Sequence, residues 1–194
     1  MKSKTAFLCS ACGNDFPKWN GQCPSCKEWG TLSEFKITKN KKKIFNPKES
    51  HALNDILNLT PAPRMKTGLE EVDRVLGGGI LPGSLILLGG NPGVGKSTLS
   101  LHICSGLEQK VLYFSAEESE EQVAIRSRRL GIKTDNLFLS SESDINGMLI
   151  HIDRINPKFI IVDSIQTILN SELDSLPGSP SQIRDCGQKF LEIS

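Results

Sequence analysis

Gly89-Gly90-Asn91-Pro92-Gly93-Val94-Gly95-Lys96-Ser97-Thr98-Leu99 is the stretch on which the reading of the chain turns. From Gly90 onward it satisfies the pattern G-x-x-x-x-G-K-[ST], with Gly90, Gly95, Lys96 and Ser97 in the fixed places. Glycines at this spacing let the backbone curl until successive N–H groups point at phosphate oxygens, and a following helix adds its positive N-terminus to the cradle. Residues Gly90 to Thr98 are therefore expected to hold the phosphates of a nucleotide. Lys96 is expected to reach the β and γ phosphates, and the Ser97 hydroxyl to take a magnesium ligand position. The flanks fit: Ser84-Leu-Ile-Leu-Leu88 is a short apolar run of buried-strand type, and Thr98 to Cys104 continues as a helix.

Working outward, 194 residues leave room for one ordinary domain plus a small module. A net charge of +1 argues for no particular partner, so any basic surface must be local. No apolar run approaches the roughly 18 residues of a membrane span, and no apolar core of a secretory signal follows Met1. A cytoplasmic protein without membrane contact is expected. In that compartment six cysteines read as metal ligands or plain thiols rather than disulfides.

Four of these cysteines form two C-x-x-C knuckles, Cys9-Ser-Ala-Cys12 and Cys23-Pro-Ser-Cys26. Knuckles so close together can converge four thiolates on one tetrahedral Zn2+. A segment this short cannot build a sufficient apolar core, so the zinc is expected to be structural and to supply the folding energy. A redox pair would want a βαβ context, which is absent. Trp19 and Trp29 bracket the second knuckle; the favoured expectation is that they pack against the metal loop, the alternative that they stack on single-stranded nucleic acid. From Lys36 to Lys48 the chain carries six lysines and no acidic residue, which reads as a solvated tether able to contact phosphates.

The remainder alternates strands with helices. A short helix is expected over 52–59, and the glycines 77 to 79 mark a tight turn. Lys110-Val-Leu-Tyr-Phe-Ser115 reads as a buried strand running into Ala116-Glu117-Glu118. Ser119 and Gln122 form a capping box for the next helix, which Gly131 stops. Asn136 to Ser140 is a further strand, and Asp144 caps a helix whose Ile145, Met148, Leu149, Ile152 and Ile155 recur at helical spacing. Lys158-Phe-Ile-Ile-Val-Asp163 is an apolar strand ending in a carboxylate, expected to hold the magnesium water shell. Ser179-Pro180 opens a last helix. His51, His102 and His151 lie apart from the cysteines and receive no ligand role, and Cys104 and Cys186 read as buried thiols. The organisation expected is a four-cysteine module over 1–35, a basic linker and short helix over 36–66, and a P-loop core over 67–194 with a parallel α/β sheet flanked by helices.

The chain resembles the bacterial RadA (Sms) DNA-repair ATPases of the RecA superfamily. The resemblance rests on the knuckles with Trp19-Asn-Gly-Gln-Cys and Trp29-Gly-Thr, on Leu76-Gly-Gly-Gly-Ile-Leu-Pro-Gly and on Gly90 to Thr98. It continues through Ala116-Glu-Glu-Ser, Val162-Asp-Ser-Ile-Gln-Thr and Pro177-Gly-Ser-Pro-Ser-Gln-Ile-Arg184. It implies a RecA-like core that hydrolyses ATP with Mg2+, assembles as a hexameric ring, binds single-stranded or branched DNA, promotes branch migration and works beside a RecA-type recombinase. By position Glu117 looks like the carboxylate that orients the attacking water, with Glu118 as runner-up. The family pattern also implies further core strands, a Lys-Asn-Arg-Phe-Gly motif and a Lon-protease-like domain beyond Ser194. Their absence here makes a zinc- and nucleotide-binding piece without turnover the alternative expectation. A regulatory kinase or clock-type protein shares the glycine triplet and the Glu-Glu pair, but the N-terminal zinc module argues against it.

Overall fold

Residues 4–37, 50–57 and 62–194 are described in a computed structural model of the chain. They fall into two units, Met1–Pro63 and Arg64–Ser194. In the first, β1 (Lys4–Cys9) pairs antiparallel with β2 (Asp15–Phe16) on one side and β3 (Leu32–Ile37) on the other. Its core is small: Cys9, Cys23 and Leu32 are buried, with Phe7, Phe16, Cys12 and Cys26 packed around them. Helix α1 (Leu53–Leu57) falls within the stretch read as a short helix, whose last residues lie outside the described set. Most of the basic tether, 38–49, also lies outside it, while Lys36 and Ile37 belong to β3.

The second unit opens with Met65 and Ile80 exchanging both backbone hydrogen bonds at 2.9 Å around helix α2 (Glu70–Val75). The glycine triplet makes the return turn, with φ of 70°, 106° and 124° at Gly77, Gly78 and Gly79. No L side chain adopts that run cheaply, and a Cβ at Gly79 would stand 2.6 Å from the Met65 carbonyl.

Three parallel strands form the sheet, in the order β5-β4-β6: β4 (Val111–Ser115) lies between β5 (Leu137–Ser140) and β6 (Phe159–Asp163). Every residue of β4 is buried, as expected of a central strand covered on both faces. The two-residue period divides the core. Val111 and Tyr113 pack with Leu101 and Cys104 of helix α3 (Lys96–Gly106) and Val123 of helix α4 (Glu120–Arg129). Leu112 and Phe114 face Ile145 and Met148 of helix α5 (Ile145–Ile155), together with Cys186 and Phe190 of helix α6 (Pro180–Ile193). Each large apolar side chain buried in these layers contributes about 1.5–3 kcal/mol. Burial pushes the thiols of Cys104 and Cys186 up to about 12 and about 11, so both act as apolar filler.

The local punctuation is as the sequence indicates. Ser119 and Gln122 bond each other's backbone N–H, Asp144 accepts from the Asn146 amide, and α5 ends in left-handed Asn156 just before Pro157. Residues 84–88 correct the reading. They form no strand, and Leu85, Ile86, Leu87 and Leu88 are exposed, Leu87 at 86%. Apolar character can favour a buried parallel strand, but such a strand needs bonded neighbours. Among the described residues no ladder pairs with this run, and β6 is bonded to β4 alone.

Candidate functional site

The loop before α3 is built for an anion. Gly93 and Gly95 take φ of 78° and 96°, and Gly95 caps α3 in the left-handed region with no side chain bonded to the first helical amides. Those unsatisfied donors, at Lys96, Ser97 and Thr98, are what a phosphate oxygen requires. Residues Asn91, Pro92, Gly93, Val94 and Gly95 are all exposed. The Lys96 side chain folds back over the loop and donates from Nζ to the carbonyls of Gly90 at 2.7 Å and Asn91 at 3.0 Å. A triphosphate fits this loop: its oxygens would find free amides and an ammonium held only by neutral carbonyls.

Leu101 and Cys104 of α3 share one apolar cluster with Val111 and Tyr113 of β4 and with Phe159 and Ile161 of β6, the two strands whose ends carry the carboxylates. The parallel register sets Ser115 beside Asp163. Tyr113, fully buried, donates from its hydroxyl to Asp163 Oδ2 at 2.6 Å, and burial with this bond pushes its phenol above the ordinary value. One residue on from Asp163, Ser164 Oγ donates to Glu117 Oε1 at 2.7 Å. Glu118 turns elsewhere: its carboxylate pairs with the Arg126 guanidinium and its amide donates to Ser115 Oγ at 3.3 Å. The structure thus gathers Glu117, Glu118 and Asp163 at two neighbouring strand ends. No hydrogen bond or ion pair among the described residues joins Lys96 or Ser97 to them. Tyr113 and Ser164 were not read from the sequence as site residues. Tyr113 sits in an apolar run, and its partner lies 50 positions on.

The cysteines converge as expected. All four sulfurs lie within 4.8 Å of one another, and no other such cluster occurs among the described residues. Cys9 and Cys26 are 3.7 Å apart at sulfur, as are Cys12 and Cys23. Sulfurs at about 2.3 Å from a tetrahedral zinc have edges of about 3.8 Å, so the donor set fits that ion. Burial opposes ionisation of Cys9, yet bonds from the Thr31 hydroxyl and the Cys12 and Ala11 amides bring it down to about 6. At Cys26 the Glu28 amide favours the thiolate, but burial and the neighbouring thiols outweigh it and push the group up to about 12. Four thiolates at this spacing repel one another unless a cation lies between them.

Trp19 and Trp29 are exposed at 61% and 73% and belong to no part of the ribbon core. They border Gly21 of the metal loop, as the expected packing against that loop requires, but stay outside the buried core, which Phe7, Phe16 and Leu32 line.

A mononucleotide-binding loop on a parallel sheet, preceded by a four-cysteine ribbon, defines the class: a P-loop ATPase domain carrying a zinc ribbon. Sequence comparison agrees with each part, the ATPase family described as KaiC matching residues 65–151 and a zinc-ribbon family described as a rubredoxin metal binding domain matching residues 7–34. The chain is 42% identical over 207 residues to DNA repair protein RadA of Bacillus subtilis (strain 168), covering all of this chain and 44% of that relative. It is 43% identical over 195 residues to DNA repair protein RadA of Escherichia coli (strain K12), covering 94% of this chain and 42% of the relative. By these matches the chain belongs with the bacterial RadA proteins and corresponds to their N-terminal part. It spans somewhat less than half the length of these relatives.

Proposed function

We propose that this chain is the zinc-bearing, ATP-hydrolysing part of a DNA-repair ATPase. In this reading the complete protein is a hexameric ring that acts on single-stranded or branched DNA, drives branch migration and engages a RecA-type recombinase. Lys96 exchanges its carbonyl partners for the β and γ phosphates, and Ser97 with Asp163 would hold Mg2+. The ion, when bound, neutralises charge on the phosphates. Glu117, held by Ser164, orients the attacking water, while Glu118 is neutralised by Arg126 and serves the structure. The observation that carries the reading is the placement of Asp163 and Glu117 at adjacent strand ends beyond a helix opened by the P-loop.

ATP binding and turnover by the zinc-loaded chain test it. Lys96→Ala is expected to lose both. Glu117→Gln is expected to keep binding and lose turnover by about 100-fold or more, as removal of a water-orienting carboxylate does. Glu118→Gln is expected to keep turnover within a few-fold and to unfold more readily, because Arg126 loses its partner. Turnover lost in Glu118→Gln but kept in Glu117→Gln would reverse the two roles. The unpaired run Leu85–Leu88 favours a second reading, in which the chain holds nucleotide and zinc and turns nothing over. Tight binding of an ATP analogue with no phosphate release would establish that reading.

A further inference from the structure

We propose that Trp19 and Trp29 form a stacking platform for the bases of a single-stranded nucleic acid on the zinc ribbon, separate from the nucleotide site. Both indoles border Gly21: a Cβ there would lie 3.5 Å from Trp29 Cζ3 and 3.8 Å from Trp19 Cη2. The two rings thus lie beside the bare backbone of Gly21 while remaining 61% and 73% exposed to solvent. The platform is held in place by backbone bonds that run through the second knuckle. The Gly30 amide donates to Gly21 at 2.9 Å and the Cys23 amide to Glu28 at 2.8 Å, while Gln22 Nε2 donates to the Lys27 carbonyl at 2.8 Å.

The surroundings select the occupant. Between Phe16 and Thr31 there is no Leu, Ile, Val, Met or Ala, and the two indoles are the only aromatic groups. Around them stand the exposed Lys18, Asn20 and Lys27. Exposed aromatic rings set among amides and ammonium groups are what unstacked bases use, the rings taking a base face and the cations a phosphate. Asp15 and Glu28 balance Lys18 and Lys27, so stacking rather than net charge carries the contact. The ribbon lies in its own unit, and the proposal does not rest on the ATPase reading.

The chain contains two tryptophans, Trp19 and Trp29, so its indole emission reports on this surface alone. Zinc-loaded chain is titrated with a dT oligonucleotide of about 15 nucleotides, a length that covers a typical single-strand site. Indole emission and the anisotropy of an end label on the DNA are followed together. Saturable quenching that tracks the anisotropy is expected, with affinity weakened about tenfold in Trp29→Ala and largely restored in Trp29→Phe, which keeps a π face. Zinc content measured on each variant shows that the ribbon remains folded. Binding without quenching, unchanged affinity in the Trp19→Ala/Trp29→Ala double variant, or equal quenching by a duplex of the same length overturns the proposal. Quenching that follows protein concentration in the absence of DNA would overturn it in favour of a second copy as the occupant. Lys96→Ala, which disables the nucleotide loop, is expected to leave the quenching intact.

Discussion

At the scale of single residues, two hydroxyls fix what the carboxylates of the candidate site can do. The Tyr113 phenol is buried beside Asp163, and its raised pKa keeps it a donor throughout the range in which the protein is handled. With Oδ2 engaged, Asp163 presents its other oxygen in one orientation, an arrangement a second-layer donor commonly supplies to an ion site. Tyr113→Phe preserves the packing and deletes the bond, so it should cost about 2 kcal/mol of stability. It should also raise the Mg2+ concentration needed for half-maximal ATP-analogue binding, while metal-free nucleotide binding stays unchanged. An unaltered Mg2+ titration in a folded Tyr113→Phe protein would remove the tyrosine from the site. Ser164→Ala acts on the other carboxylate: it frees Glu117, and turnover should fall with nucleotide affinity held.

At the scale of elements, helix α3 depends on a contact made at its far end from the P-loop. A Cβ at Gly106 would stand 1.7 Å from the Thr67 carbonyl oxygen, and backbone cannot yield as a flexible side chain would. Thr67 is itself fixed, since its amide and hydroxyl donate to Asp73 Oδ1 at 3.0 Å and 2.9 Å. Gly106→Ala must therefore push α3 off the α2 segment, at a cost of about 3 kcal/mol or more. A thermal melt reads this directly, and a melting temperature equal to the parent chain's would contradict the packing described. Nothing around Gly106 in the sequence announces the contact, because its partner is 39 residues upstream. The same distance rule separates what was legible from what was not. The helix that follows the glycine-rich loop, the Ser119 and Asp144 caps and the buried apolar run of β4 are written in adjacent residues and could be read. So could the ends of β4 and β6, each an apolar run stopped by acid. Leu85–Leu88 carries the composition of a buried strand without its neighbours, and composition does not specify neighbours. Gln182, buried and donating to Asn170 and Ser175 while accepting from the Asn170 amide, looks in sequence like any helical glutamine. That Trp19 and Trp29 stay outside the buried core of the ribbon was not legible, because the residues that line it, Phe7, Phe16 and Leu32, lie elsewhere in the chain.

At the scale of the whole molecule, the two units should respond differently to acid, because different groups hold them. The ribbon core is too small to stand without a metal, and zinc binds thiolates, so protons compete with the ion and acidification releases it. The unit Arg64–Ser194 depends on carboxylates. Bonds from the Thr67 amide and hydroxyl hold Asp73 below its usual range. Burial raises Asp144, but bonds from Ser171 and Asn146 outweigh it and hold the group low as well. A carboxylate depressed on folding stabilises the folded state above its unfolded value. That contribution disappears as the pH falls through the folded value, here below about 4. Lowering the pH should thus give two steps. Zinc appears first, measured with a chromogenic chelator, while the far-ultraviolet circular dichroism of the helices persists; the helical signal then falls only at the more acidic step. A chelator at neutral pH should reproduce the first step alone and expose the ribbon segment to protease while leaving 64–194 protected. If metal release and helix loss instead coincide in both experiments, the zinc stabilises the ATPase unit as well, and the two units fold as one cooperative body.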